Sequence, residues 1–211
     1  MSDIRHRRPL VVGLTGSIAM GKTETAGMFA RLGIPVHDAD ATVHRLYERG
    51  GGAADAIAEV LPDCVHAGRV DRSRLSARVR ENAAALKQLE DIVHPLVAAD
   101  QQAFLEDAAA SGADIVILDI PLLFETGAAL RVDAVVVVSA PAEVQRARVL
   151  ARPGMTQAML DRILARQLAD VDKRARAHFV VETDKGLSHA FAQVEAIVSE
   201  LRARAVKGGD A

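Results

Sequence analysis

Between an apolar run, Leu10-Val11-Val12-Gly13-Leu14, and a helix-compatible stretch from Thr25 to Leu32, the chain reads Gly16-Ser17-Ile18-Ala19-Met20-Gly21-Lys22-Thr23-Glu24. Gly16, Gly21, Lys22 and Thr23 stand at the spacing of a phosphate-binding loop. Glycine at the first two positions lets the backbone adopt conformations a Cβ forbids and come close to a phosphate. Successive loop N–H groups, followed by a helix N-terminus, favour the negative charge of that phosphate. Lys22 is of the type that reaches the β- and γ-phosphates of a nucleoside triphosphate, and Thr23 of the type that ligates Mg²⁺. The strand, glycine loop and helix follow one another within the first 33 residues. That order separates a working loop from a chance Gly-rich turn.

Three further groups could do chemistry. Asp38-Ala39-Asp40 closes the short apolar run Ile34-Pro35-Val36-His37. One of the two carboxylates is suited to cap the helix that begins near Ala41. The other is suited to accept the proton of a hydroxyl attacking the γ-phosphate; the sequence does not say which is which. Asp119 ends the run Ile115-Val116-Ile117-Leu118, in the manner of the acid that holds Mg²⁺ in phosphate-loop enzymes. Arginines gather from Arg146 to Arg176, with Arg148/Arg152 and Arg162/Arg166 at i,i+4. Each pair is expected on one helix face, either as a solvated basic surface or as part of a lid clamping phosphate. His94, before Pro95, is read either as a structural helix residue or as a hydrogen-bond donor to substrate; it has no companion at metal-ligand spacing.

The elements that must position these residues follow from the hydrophobic pattern. Runs at Leu10–Leu14, Ile34–Asp38, Ile115–Asp119, Ala134–Ser139 and, more weakly, Phe179–Glu182 are continuously apolar rather than alternating. Strands of that kind are covered on both faces, which predicts a parallel sheet between helical layers: an α/β three-layer sandwich. In such sheets ligands lie beyond the carboxyl ends of the strands, where Asp38, Asp40 and Asp119 fall. The segment between the second and third strands is too long for a simple crossover. It is broken at Gly50-Gly51-Gly52 and at Asp63 to Gly68, and carries helical patterns over Ala53–Leu61, Arg74–Arg80 and Ala83–Ala109, the last with Pro95 inside. This predicts one domain over 9–207, with its core in 9–40, 112–150 and 177–207, a helical subdomain at about 41–111 and a lid at about 151–176.

Composition narrows the function. A net charge of −2 and 3% aromatic residues supply neither a basic field for a duplex nor stacking platforms for single strands, so no nucleic-acid partner is expected. The single Cys64 can form no internal disulfide and fits a reducing cytoplasm. No apolar run approaches the ~18 residues of a membrane span.

Taken together, these residues resemble the dephospho-CoA kinase family, the phosphate-loop kinases that complete coenzyme A synthesis. The resemblance covers nearly the whole chain. It runs through Gly13-Leu14-Thr15-Gly16, Asp38-Ala39-Asp40, Asp71-Arg72 with Leu75, Leu89-Glu90 with His94-Pro95, and Asp119-Ile120-Pro121-Leu122-Leu123-Phe124-Glu125. It continues through Arg152 to Gln167, which look like the family's lid. The resemblance implies transfer of the ATP γ-phosphate to the 3′-hydroxyl of dephospho-CoA, with Mg²⁺, by a monomer or weak oligomer. It implies Asp40 as base, with Lys22 and Arg148 as catalytic cations. ATP would be bound by Gly16 to Glu24, Arg148 and Thr183, and the acceptor by Thr15, Asp38, Asp40, His94, Pro121 and Leu122. Thr23 and Asp119 would hold the metal, and the helical subdomain would take the CoA moiety. The chain departs from the family at Ser17 and Ala19, where glycines are usual, at Ala177-His178 in place of Ala-Asp, and at Thr183 in place of an Asn near adenine.

Two other readings share part of this pattern. Another small-molecule kinase of the same fold, acting on a nucleoside monophosphate or a different alcohol, would have the same loop, strand-end acids and arginines. A nucleotide switch would need Asn-Lys-x-Asp and Asp-x-x-Gly, and a transporter ATPase a Leu-Ser-Gly-Gly-Gln-like helix start; none of these strings occurs.

Overall fold

The computed structural model describes residues 8–207. Its central sheet has the order β2-β5-β1-β6-β7, from β1 (Leu10–Thr15), β2 (Val36–Asp38), β5 (Ile115–Asp119), β6 (Ala134–Ser139) and β7 (Phe179–Glu182). β1 runs parallel to both β5 and β6, and β6 parallel to β7. Every residue of β5 and β6 is buried, as expected of β-branched runs covered on both faces. The five expected strands are the five of this sheet. β2 starts later than its apolar run because Pro35 has no N–H to give; its carbonyl still accepts from Ile117 N at 2.9 Å.

The chain forms two compact units. One holds the sheet and comprises the residues before Asp38 and those from Asp107 onward. Within it α1 (Lys22–Arg31) and α9 (Leu187–Lys207) share a core, with Met28 and Phe29 against Val194, Ile197, Val198 and Leu201. α6 (Ala142–Leu150), α7 (Gln157–Leu164) and α8 (Asp170–Ala175) fill the stretch between β6 and β7. Here one expectation fails. α6 ends at Leu150 and α7 at Leu164, so Arg152 and Arg166 lie past the helix ends and neither i,i+4 arginine pair shares a helix face. Pro153 disfavours helical backbone at Arg152, and Gly154 turns the chain away with φ +77°.

The second unit is Asp38–Glu106. It contains α2 (Ala39–Tyr47), α3 (Ala54–Val60), a 3₁₀ turn at Pro62–Cys64, a two-stranded hairpin of β3 (Val65–His66) and β4 (Arg69–Val70), α4 (Arg72–Glu81) and most of α5 (Ala83–Ala110). Tyr47, Ile57, Leu61, Cys64, Val70, Leu75 and Val93 form its own core, and burial pushes the Cys64 thiol up. The hairpin replaces the simple break expected at Asp63 to Gly68: Ala67 and Gly68 take φ +51° and +75°, the signature of a tight primed turn. α5 is assigned as one helix through Pro95, a residue that gives up the hydrogen bond of its missing N–H and crowds the carbonyl four residues before it.

Candidate active site

The parallel pairings decide what surrounds the phosphate loop. β1 lies between β5 and β6, with Leu14 level with Asp119 and Thr15 level with Val137. The loop leaving β1 therefore opens at the carboxyl edge, at the point where the connections diverge, which is where ligands bind in open sheets. Gly16 is required there. A Cβ on it would sit 2.7 Å from the Val138 carbonyl oxygen. Gly21, the residue before α1, takes φ +96°. Ala19 takes φ +60°, a left-handed conformation that costs a residue with a Cβ about 1 kcal/mol. Of Ser17 and Ala19, which the resemblance sets against glycines, only Ala19 takes a positive φ.

Side chains from distant elements hold the loop in that shape. Gln167 Oε1 accepts from Ile18 N at 3.2 Å, and Gln145 Nε2 donates to Ile18 O at 2.9 Å. Arg148, on α6, donates to Ala19 O at 3.4 Å, to Thr183 Oγ1 at 2.9 Å and to Thr183 O at 2.7 Å. Thr183 Oγ1 in turn donates to Met20 O at 2.7 Å. Thr183 thus ties Arg148 to the phosphate loop. Gln145, 6% exposed, was missed by sequence reasoning. Its signal was a polar residue on the inward stripe of α6.

Lys22 opens α1 and makes an ion pair with Asp119 at the end of β5; their side chains are 17% and 4% exposed. Thr23 follows Lys22 and is exposed, as is Glu24. Thr15 Oγ1 donates to Pro121 O at 3.0 Å, which fastens the turn after β5 to the end of β1. Leu122, next in that turn, is exposed. Beside the loop a cavity of about 290 Å³ is lined by Met20, Ser139, Gln145, Asp170, Arg174 and Lys185. Ser139 Oγ donates to Asp170 at 2.7 Å.

In the second unit the structure separates the two aspartates. Asp38 is the cap: its Oδ1 accepts from Ala41 N at 2.9 Å. Asp40 lies in the first turn of α2, exposed, and makes no side-chain hydrogen bond among the described residues. His94 is exposed on α5, just before Pro95.

One ion pair was invisible in the sequence. Lys173 on α8, with a fully buried side chain, meets Glu125 at 2.9 Å, and Glu125 also accepts from Leu168 N at 2.7 Å. Burial pushes the Glu125 carboxyl up, but the Lys173 ammonium and the Leu168 N–H outweigh it and hold the group below its ordinary range. A carboxyl lowered in the folded state stabilises the fold above its unfolded pKa, and that contribution is lost as pH falls through the folded value. Glu125→Gln leaves Lys173 buried without its counter-charge. It is expected to cost about 3 kcal/mol at neutral pH and to flatten the loss of stability below about pH 4. Thermal unfolding of both proteins across that range checks this; parallel pH profiles would remove Glu125 as the source.

A phosphate loop after the first strand of a parallel sheet, an acid closing the neighbouring strand and an arginine on the next helix define a phosphate-loop kinase. The model of the dephospho-CoA kinase family matches residues 10–189. A dephospho-CoA kinase of Mesorhizobium japonicum is 58% identical over 193 residues, 92% of this chain and 97% of the relative. Among solved structures, TT1252 from Thermus thermophilus is 33% identical with a TM-score of 0.79, covering 92% of this chain and 99% of that one. A dephospho-CoA kinase from Campylobacter jejuni, 19% identical over 92% of this chain and 98% of its own, shares the fold with a TM-score of 0.64. This chain belongs to the dephospho-CoA kinase family and is an ATP-dependent kinase.

Proposed function

We infer that this chain transfers the γ-phosphoryl group of ATP to the 3′-hydroxyl of dephospho-CoA and so completes coenzyme A. The observation that carries the reading is the loop itself, with Lys22 set against Asp119 and Arg148 joined through Thr183 to Met20, in a chain of this family.

The loop N–H groups from Gly16 to Thr23 cradle the phosphates, and Lys22 meets the charge that spreads over the γ-phosphoryl oxygens as the bond to the leaving group loosens. Arg148, already held at Ala19 and Thr183, adds positive charge beside the loop. Mg²⁺ fits the oxygen donors on offer, the Thr23 hydroxyl and the Asp119 carboxylate. A cation held there would be ligated mainly by nucleotide phosphates and water. When bound, Mg²⁺ neutralises phosphate charge.

Asp40 takes the proton of the 3′-hydroxyl as it attacks, while Asp38 fixes the first turn of α2 that carries it. The helical unit takes the CoA moiety, with His94 a donor to it; Thr15, Pro121 and Leu122 are further acceptor-binding residues. Residues at about 151–176, including α7 and α8, form a lid that excludes water, the competing acceptor. The single Cys64 suits a reducing cytoplasm, where the enzyme acts as a monomer or weak oligomer. No helix among the described residues is long and apolar enough to cross a membrane.

ADP release from Mg·ATP, measured with dephospho-CoA beside AMP, CMP, pantetheine and no acceptor, tests the reading. Strong turnover is expected with dephospho-CoA alone. Preference for a nucleoside monophosphate would keep the kinase and overturn the acceptor; slow ADP release indifferent to acceptor would point to a switch.

A further inference from the structure

Three successive peptides of the phosphate loop are each gripped by a side chain from outside it. Gln167 Oε1 accepts from Ile18 N at 3.2 Å, Gln145 Nε2 donates to Ile18 O at 2.9 Å, and Arg148 donates to Ala19 O at 3.4 Å. The middle grip decides more than the other two. Met20 N donates to Ser17 O at 3.2 Å, which closes a tight turn with Ile18 and Ala19 at its centre. Ile18 keeps a negative φ while Ala19 takes +60°, the sign pattern of a type II turn. That turn favours glycine at its third position, where this chain has Ala19. A type I turn, negative in φ at both central residues, suits alanine better. The two turns differ by a half-rotation of one peptide, the one between Ile18 and Ala19.

The loop therefore holds a peptide against the preference of its own residue, and the grip on that peptide comes from Gln145. In a trans peptide the C=O and N–H point in opposite directions. With Ile18 O drawn to Gln145 on α6, the Ala19 N–H points away from α6. Released, the peptide would turn over to relieve Ala19. Ile18 O would then stand where the Ala19 N–H had been, a carbonyl oxygen in place of a donor, and phosphate oxygens are repelled by the first and bound by the second. Gln145 is buried, and Arg148 lies three residues on along the same face of α6, so one helix supplies the grips on both sides of the Ala19 Cα.

We propose that Gln145 is a positioning residue of the phosphate loop: its amide holds the Ile18–Ala19 peptide in the orientation that phosphate binding uses and that Ala19 disfavours. This rests on the loop taking the phosphates of ATP, and it is independent of which alcohol accepts the phosphoryl group.

The test is a double-mutant cycle on the full chain, read by calorimetric titration with Mg²⁺ and a non-hydrolysable ATP analogue. Gln145→Met keeps the length of the side chain and loses the donor. Beside Ala19 it is expected to raise the Kd about 5- to 10-fold, as follows when only a minor fraction of loops keeps the competent turn. In an Ala19→Gly background, where a positive φ meets no Cβ, the same change should raise the Kd less than about twofold. Gln145→Asn, whose shorter amide falls short of Ile18 O, should show the same dependence on residue 19. Weakening of equal size in both backgrounds would overturn the proposal, because Gln145 would then act only by packing α6 against the loop. An unchanged Kd in both Gln145 variants beside Ala19 would overturn it as well. A wild-type chain that binds no ATP analogue would overturn the role of the loop and this proposal with it, and is seen before any variant is compared.

Discussion

Lys22→Ala is expected to lower kcat by about a thousandfold, the scale on which removing one preorganised donor to developing charge acts. The same change removes an ammonium from beside the Asp119 carboxylate, which is 4% exposed. A stability loss of about 2 kcal/mol should therefore accompany it. The two effects come apart in a double variant. Adding Asp119→Asn to Lys22→Ala takes away the charge that needed a partner, so thermal stability should recover while turnover does not. Recovery of both would mean that Lys22 acts by holding β5 against α1. Turnover within tenfold of wild type in the single variant would take Lys22 out of the chemistry altogether.

For Asp40→Asn the expected fall in kcat is between about a hundredfold and ten-thousandfold, the range a positioned general base contributes. The KM for ATP should change little. Asp40 is exposed and makes no side-chain hydrogen bond among the described residues, so stability should stay within about 0.5 kcal/mol. Asp38→Ala provides the contrast. It removes the cap on Ala41 N and should cost about 1 kcal/mol of stability, with far less effect on kcat than Asp40→Asn. If the two variants exchange these phenotypes, Asp38 is the base and the cap is incidental.

Much of this was legible because the signals are local. A phosphate loop is a property of consecutive residues, since it needs glycine where the backbone meets Val138 O and a lysine opening the helix. Strands buried on both faces announce themselves by their apolar runs, and β5 and β6 were bounded from sequence as the structure has them. The arginine pairs failed for an equally local reason, the helix ends set by Pro153 and by the C-cap at Ala165. The hairpin was missed because strands of two residues carry no period to read.

By itself the sequence determined the parallel sheet, the loop between β1 and α1, the acids at the strand ends and the family that combines them. Only the tertiary structure decided the partners. It gave Asp38 the cap, joined Arg148 to Thr183 and Thr183 to Met20 across 163 residues of sequence, buried Lys173 against Glu125, and brought Arg72 to His44. The physical reason is the range of the forces involved. Hydrophobic periodicity and backbone conformation act over a few residues and leave their mark in sequence order. A hydrogen bond or ion pair between distant side chains depends on an approach within about 3 Å, which exists only after the sheet has set which strand lies beside which.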